Sequence, residues 1–354
     1  MSMLRRTFIQ RAVLVGAVCA APACRRGVSK RDVLRALIEQ VVAPNTANVA
    51  DTSRRLDREI TRLAGEPSLT TLRAAREQWQ RTLLSWKRAD AFRNGPIVDT
   101  NGLLRVMFWP VRTAAIDELL RVSQTIDDAS INVMGVDRRG LFALEYLLYG
   151  TGEADEQIIL GFSSADGERR ARLARALAGN VSYYADSTAR ALGNGQAYAG
   201  KFADGGQESL NRLVGHLVST VENQCTDRLA RIAKLAKNGR IVPAEVEGGG
   251  SQMSQQIALS YLRAAEELYR GVDRGLSELV KAQSSAVDER LRAAFAQALA
   301  ALSKLGLPLE EVAKRDPAAL DAAIDTLQIL ERALKTELAS TLGVTSTFSS
   351  VDGD

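Results

Sequence analysis

Apolar residues along this chain recur at three- and four-residue spacing and show no sustained alternation, which predicts helix and argues against a sheet. The clearest stripe is Trp79, Leu83 and Trp86, spaced i, i+4 and i+7 behind Ser68, a good N-cap following Gly65-Glu66-Pro67. Similar periodicity predicts helices over 31–43, 45–64, 68–92, 113–125, 138–149, 167–193, 205–238, 253–282, 284–305 and 316–342. Phe92-Arg93-Asn94-Gly95-Pro96 ends the third of these, and Trp109-Pro110 blocks any helix through residue 110. Val242 to Ser251, with three consecutive glycines, reads as a flexible connection between two long helical segments. The expected fold is all-α, two packed helical bundles with sites between helices.

One residue breaks the apolar pattern of 138–149. At about 100° per residue, Glu145 lies on the side of Leu141, Phe142, Leu148 and Tyr149, with no face offering an exit to solvent. Burying an ionised carboxylate without a partner costs several kcal/mol or raises its pKa. Two readings are open: a buried pair with Arg105, Arg112 or Arg138, or a ligand-binding or proton-transferring carboxylate in a cleft between helices.

The N-terminus stands apart from this pattern. Arg5-Arg6-Thr7-Phe8-Ile9-Gln10 precedes an apolar run from Ala12 to Ala23, the length of a signal-peptide core and too short to span a bilayer. Residues 1–24 therefore read as an export signal, resembling the twin-arginine type with a Sec signal as the alternative, and the mature chain, 25–354, is expected in a bacterial periplasm or on a membrane facing it. Ala21-Pro22-Ala23-Cys24 fits both an Ala-x-Ala cleavage site and a lipobox-like run in which Cys24 is lipidated and anchors the protein. Residues 1–23 hold three arginines and no acids, so the excess of 46 basic over 42 acidic residues falls to 43 against 42 in the mature chain. A near-neutral protein gives no reason to expect a nucleic-acid partner. Cys225, alone on a helix, reads as a small buried apolar residue.

Several features taken in order resemble the imelysin-like family of bacterial envelope proteins, which includes an insulin-cleaving membrane protease and iron-regulated proteins. They are Trp79 and Trp86 with Phe92 to Pro96, Phe108-Trp109-Pro110, Gly140 to Gly150, Glu247 and Ser251, then Gly343 and Asp352-Gly353-Asp354. The resemblance covers essentially the whole mature chain and implies an all-α fold of two bundles, an export signal and an association with iron or other metal uptake. The family hallmark is Gly-x-His-x-x-Glu, and this chain has Gly140 and Glu145 with Phe142 at the histidine position. Glu145 alone carries over as a metal ligand, and a zinc-peptidase mechanism lacks its imidazole.

The sole histidine, His216, falls off the stripe of Leu210, Leu213, Val214, Leu217, Val218 and Val221, and reads as a surface or rim residue. Any bound metal is then expected to be iron or another hard cation in an oxygen-rich set drawing on Glu145 with Asp90, Asp99 or Asp137, not a His-ligated zinc. No Gly-x-Ser-x-Gly elbow, phosphate loop, dinucleotide fingerprint or Cys-x-x-Cys pair is present. The expected role is binding or accessory, in envelope iron or metal acquisition alongside uptake proteins, with an altered metal site and without catalysis. The alternatives are a metallopeptidase of the same fold and a scaffold for a partner protein.

Overall fold

The computed structural model describes residues 28–345, apart from 123–124, 165–166 and 194. The segment read as an export signal, Cys24 and the closing Asp352-Gly353-Asp354 lie outside the described residues.

Helix α1 runs unbroken over 30–65: Lys30–Leu37 and Ala43–Gly65 are α-helical, with a π turn at Ile38–Val42 between them. Two helices were expected here, split near Pro44. The wider π turn just upstream gives the proline ring room where a regular turn would clash with the carbonyl four residues back. Helix α2, Leu69–Asp90, starts at a capping box in which Ser68 and Thr71 satisfy each other's backbone N–H. Helix α3 is Gly140–Tyr149 and α4 is Gly167–Leu192. Helix α5 covers 206–237 and also contains a π turn, Glu222–Thr226. Helices α6, Ser254–Arg270, and α7, Ser285–Lys304, are followed by α8, which spans 317–341 through a third π turn at Leu334–Leu338.

The segment expected as one helix over 253–282 divides, with a separate helix at Leu276–Gln283. Gly271 has φ +67°, and a Cβ there would fall 1.9 Å from the Arg274 carbonyl, so the chain doubles back more tightly than a helix permits. Short helices not anticipated from periodicity, among them Gly102–Met107, Asp155–Ser163 and Leu309–Arg315, fill the connections.

All the described secondary structure is helical, and it forms two bundles. In the first, α1, α2 and α4 pack side by side and α3 lies against α2 and α4. In the second, α6 packs on α5 and α7, and α8 packs on α7 and α5. The bundles meet where α2 lies along α6. Trp79 and Trp86 are fully buried in α2, and each indole N–H keeps a partner, the Leu141 carbonyl at 2.7 Å and the Ser53 hydroxyl at 3.3 Å. Gly140 (φ +78°) lets α3 begin against the backbone of Val106, whose carbonyl would sit 2.4 Å from any Cβ.

The glycine run is a packed turn and not an open loop tip. Val246 to Gly249 are buried, Gly249 N–H donates to the Val246 carbonyl and Met253 N–H to that of Gly248. A Cβ on Gly249 would lie 2.2 Å from the Pro243 carbonyl. Gly249→Ala is therefore expected to lower stability by about 2–3 kcal/mol. Gly215→Ala, inside α5 with open space around it, is expected to gain about 1 kcal/mol. Paired chemical-denaturation curves would check the contrast, and equal effects would contradict the packed-turn description.

Candidate functional site

The site forms where α2, α3, α5 and α6 converge on the packed turn. Helix α3 is buried almost all round, so Glu145 is 8% exposed, as its neighbours in sequence predict. Its Oε1 accepts two hydrogen bonds from one residue, the Ser251 backbone N–H at 2.9 Å and the Ser251 hydroxyl at 2.6 Å. Burial pushes Glu145 up to about 7, with the Ser251 hydrogen bonds opposing it; Glu310 adds to the rise, and Lys87 opposes it weakly.

Among the described residues no guanidinium clamps this carboxylate, which overturns the Glu–Arg reading. Arg105 donates to the Asn132 carbonyl, Arg112 pairs with Asp137, and Arg138 lies 3.8 Å from Asp137.

A cation supplied by the protein stands beside Phe142, the position where the family resemblance places an imidazole. Phe142 is buried, and the Lys87 ammonium from α2 stands 5.1 Å from its ring centroid and 5.3 Å from that of Tyr261. Lys87 is 1% exposed and donates to Glu247 Oε1 at 2.7 Å; the other Glu247 oxygen pairs with Arg228 of α5. Burial, then the positive charge of Arg228, pull Lys87 well below the ordinary lysine range, while Asp90 and Glu145 oppose this.

Asp90 is buried one turn beyond Lys87 and fully engaged, accepting from Arg93 at 2.7 Å and from the Tyr261 hydroxyl at 2.7 Å. Asp137 is held by Arg112 and Arg138, and Asp99 is exposed at the end of the short helix Pro96–Asp99. The structure does not bring these acids to Glu145. Among the described residues no three of His, Cys, Asp and Glu are grouped to hold a metal ion. The hydrogen-bond partners of Glu145 are an amide and a hydroxyl that donate and offer no further ligand, so the residues present do not fit the metal that the hallmark motif implies. His216 is half-buried, and burial with the positive charge of Arg93 pushes it below its usual value while Asp90 opposes. Cys225 is buried, and burial raises its thiol to about 12, so it behaves as an unreactive apolar residue.

Trp109 lines two cavities at the site. One, of about 360 Å³, is lined by Lys87, Asp90, Arg93, Arg228, Glu247 and Tyr261 among others. The second, of about 280 Å³, has Glu145 on its wall with Phe142, Tyr146 and Pro243. Lys87, Arg228 and Tyr261 did not stand out in the sequence. A signal for Lys87 existed: it sits four residues after Leu83 and eight after Trp79, on the edge of the apolar stripe of α2.

An all-α protein of two bundles, with a buried helix in the first of them that carries Glu145, is what fold and site together define. The imelysin family model matches residues 42–340, and the chain belongs to the imelysin family. It is similar to a Parabacteroides distasonis structure described as an iron-regulated protein A precursor, at 14% identity over 90% of this chain and 97% of that one, with a TM-score of 0.73. An imelysin-like protein from Psychrobacter arcticum 273-4 is 18% identical over 89% and 96% of the two chains, with a TM-score of 0.63. At such identities these structures share the fold with this chain. No curated protein matches the chain.

Proposed function

We propose that this protein is an exported, non-catalytic member of the imelysin family that serves a binding or accessory role in envelope iron or metal acquisition. Its seat is the periplasm or, through a lipid on Cys24, a membrane facing it, beside metal-uptake proteins. One observation carries the non-catalytic part: the Lys87 ammonium lies over Phe142 and pairs with Glu247, where the hallmark motif has a metal-binding histidine. A metal ion held at the histidine position would have to share that place with the Lys87 ammonium. The acquisition role is supported by family membership and by the description of one structural neighbour as iron-regulated. Export is supported by the Arg5-Arg6 signal pattern.

Equilibrium dialysis of the mature protein against iron, copper and zinc is expected to find no tight stoichiometric site. A site of unit stoichiometry that disappears in Glu145→Ala would overturn the altered-site reading. Chelator-sensitive cleavage of an unfolded polypeptide, lost in the same variant with helicity intact, would establish the peptidase alternative. For the role itself, a strain lacking the gene is expected to accumulate less iron under limitation, and unchanged iron content would refute it.

A further inference from the structure

The cavity of about 280 Å³ contains one carboxylate and no basic side chain on its wall. Trp109, Phe142 and Tyr146 contribute aromatic surface, and Val111, Pro243 and Val246 complete an apolar lining. Tyr146 is not free to serve Glu145, because its hydroxyl donates to Asp117 at 2.7 Å. Both hydrogen bonds to Glu145 fall on Oε1, and among the described residues none reaches Oε2. A carboxylate more than nine-tenths buried thus presents an unpartnered oxygen in a cavity whose other walls are mostly apolar. Lys87 does not fill this need, since its ammonium donates to Glu247 Oε1 and no hydrogen bond from it reaches Glu145.

We propose that this cavity binds a small primary amine with an apolar or aromatic body, its ammonium donating to Glu145 Oε2 and its body packed against Trp109, Phe142 and Tyr146. The charge argues for an ammonium. A neutral donor would supply a hydrogen bond but leave an ionised carboxylate uncompensated in an apolar setting, whereas a cation supplies both. Size argues for a small molecule, because about 280 Å³ is the liquid volume of roughly nine waters. The aromatic walls add cation–π attraction near the ammonium and apolar contact for the remainder. This assignment goes beyond the envelope role proposed above and does not depend on it, since it concerns an organic cation and not a metal.

Calorimetric titration of the folded mature protein with phenethylamine, 2-phenylethanol and phenylacetate tests it, because the three probes share size and ring and differ in charge. The amine is expected to bind at least about ten-fold more tightly than the alcohol, with the acid weaker still. Glu145→Gln is expected to erase the preference for the amine while leaving helicity unchanged. Ala244→Trp, at an exposed position on the cavity wall, is expected to block all three probes with Glu145 intact. Equal affinity for amine and alcohol, or amine binding undiminished in either variant, would overturn the proposal. Should Glu145→Gln fail to fold, the charge series on the wild type and the Ala244→Trp result decide it.

Discussion

Replacing Glu247 by alanine is expected to destabilise the folded protein by about 3–5 kcal/mol, the largest loss anticipated for any single change at the site. Glu247 is the shared counter-ion of Lys87 and Arg228, and without it two cations face one another at the wall of the cavity of about 360 Å³, the lysine itself buried. Arg228 is part-exposed and turns towards solvent at modest cost, but Lys87 is enclosed by Phe142 and Tyr261 and has nowhere to go. The penalty is therefore carried mainly by the lysine. It follows that Lys87→Met in the Glu247→Ala background should recover most of the stability, because a methionine of similar length fills the volume without a charge. The double-mutant cycle in urea or guanidinium at pH 7 measures this directly. A loss below about 1 kcal/mol for Glu247→Ala, or no recovery in the double variant, would show that the ion group does not hold the bundles in register.

The second large effect is a pH dependence with an unusual sign. Paired carboxylates ordinarily stabilise a fold as pH rises, whereas Glu145 is pushed the other way, from 4.5 to about 7 on folding. Below 4.5 the acid is protonated in both states and contributes no difference. Between 4.5 and 7 the unfolded chain releases its proton while the folded protein retains it, so each pH unit costs the folded state about 1.4 kcal/mol. Above 7 the full penalty, about 3 kcal/mol, is present. Glutamine at 145 resembles the protonated acid and still accepts from Ser251. Glu145→Gln should accordingly match the wild type near pH 4.5 and exceed it by about 3 kcal/mol at pH 8. The difference between the two proteins must be measured, because Glu310 and Asp57 are also raised by burial and titrate in the wild type and variant alike. A difference that is flat from pH 4.5 to 8 would place Glu145 in an ordinary aqueous environment.

The same calculation explains why an amine would be welcome at this position. A ligand cation that meets Glu145 Oε2 removes the penalty it bears when ionised, so part of the strain of burial is available as binding energy.

Much of this molecule was legible along the chain. The stripe of Trp79, Leu83 and Trp86 located α2, Ser68 located its start, and the absence of a polar face around Glu145 foretold its burial. Other features were not legible. Pro44 and Asn45 looked like a helix boundary because the π turn that accommodates the proline has no residue signature of its own. The three glycines read as flexible because glycine is equally common in loose connections and where backbone passes close to backbone; the Pro243 carbonyl beside Gly249 decides between these. Asp90, Asp99 and Asp137 were plausible ligands by type alone, and their arginine partners and exposure, which remove them, depend on side chains elsewhere.

Periodicity, caps and the position of one acid within an apolar helix are local properties, and the order of residues determines them without reference to the rest of the fold. That order set the helical class, the bundle architecture and the burial of Glu145. The identity of the groups meeting that acid is a different kind of quantity. Ser251 stands 106 residues from Glu145, and Glu247 stands 160 from Lys87. Which donor, cation or empty space lies beside a buried charge follows from how the two bundles pack together, and in a close-packed interior only the assembled structure decides it.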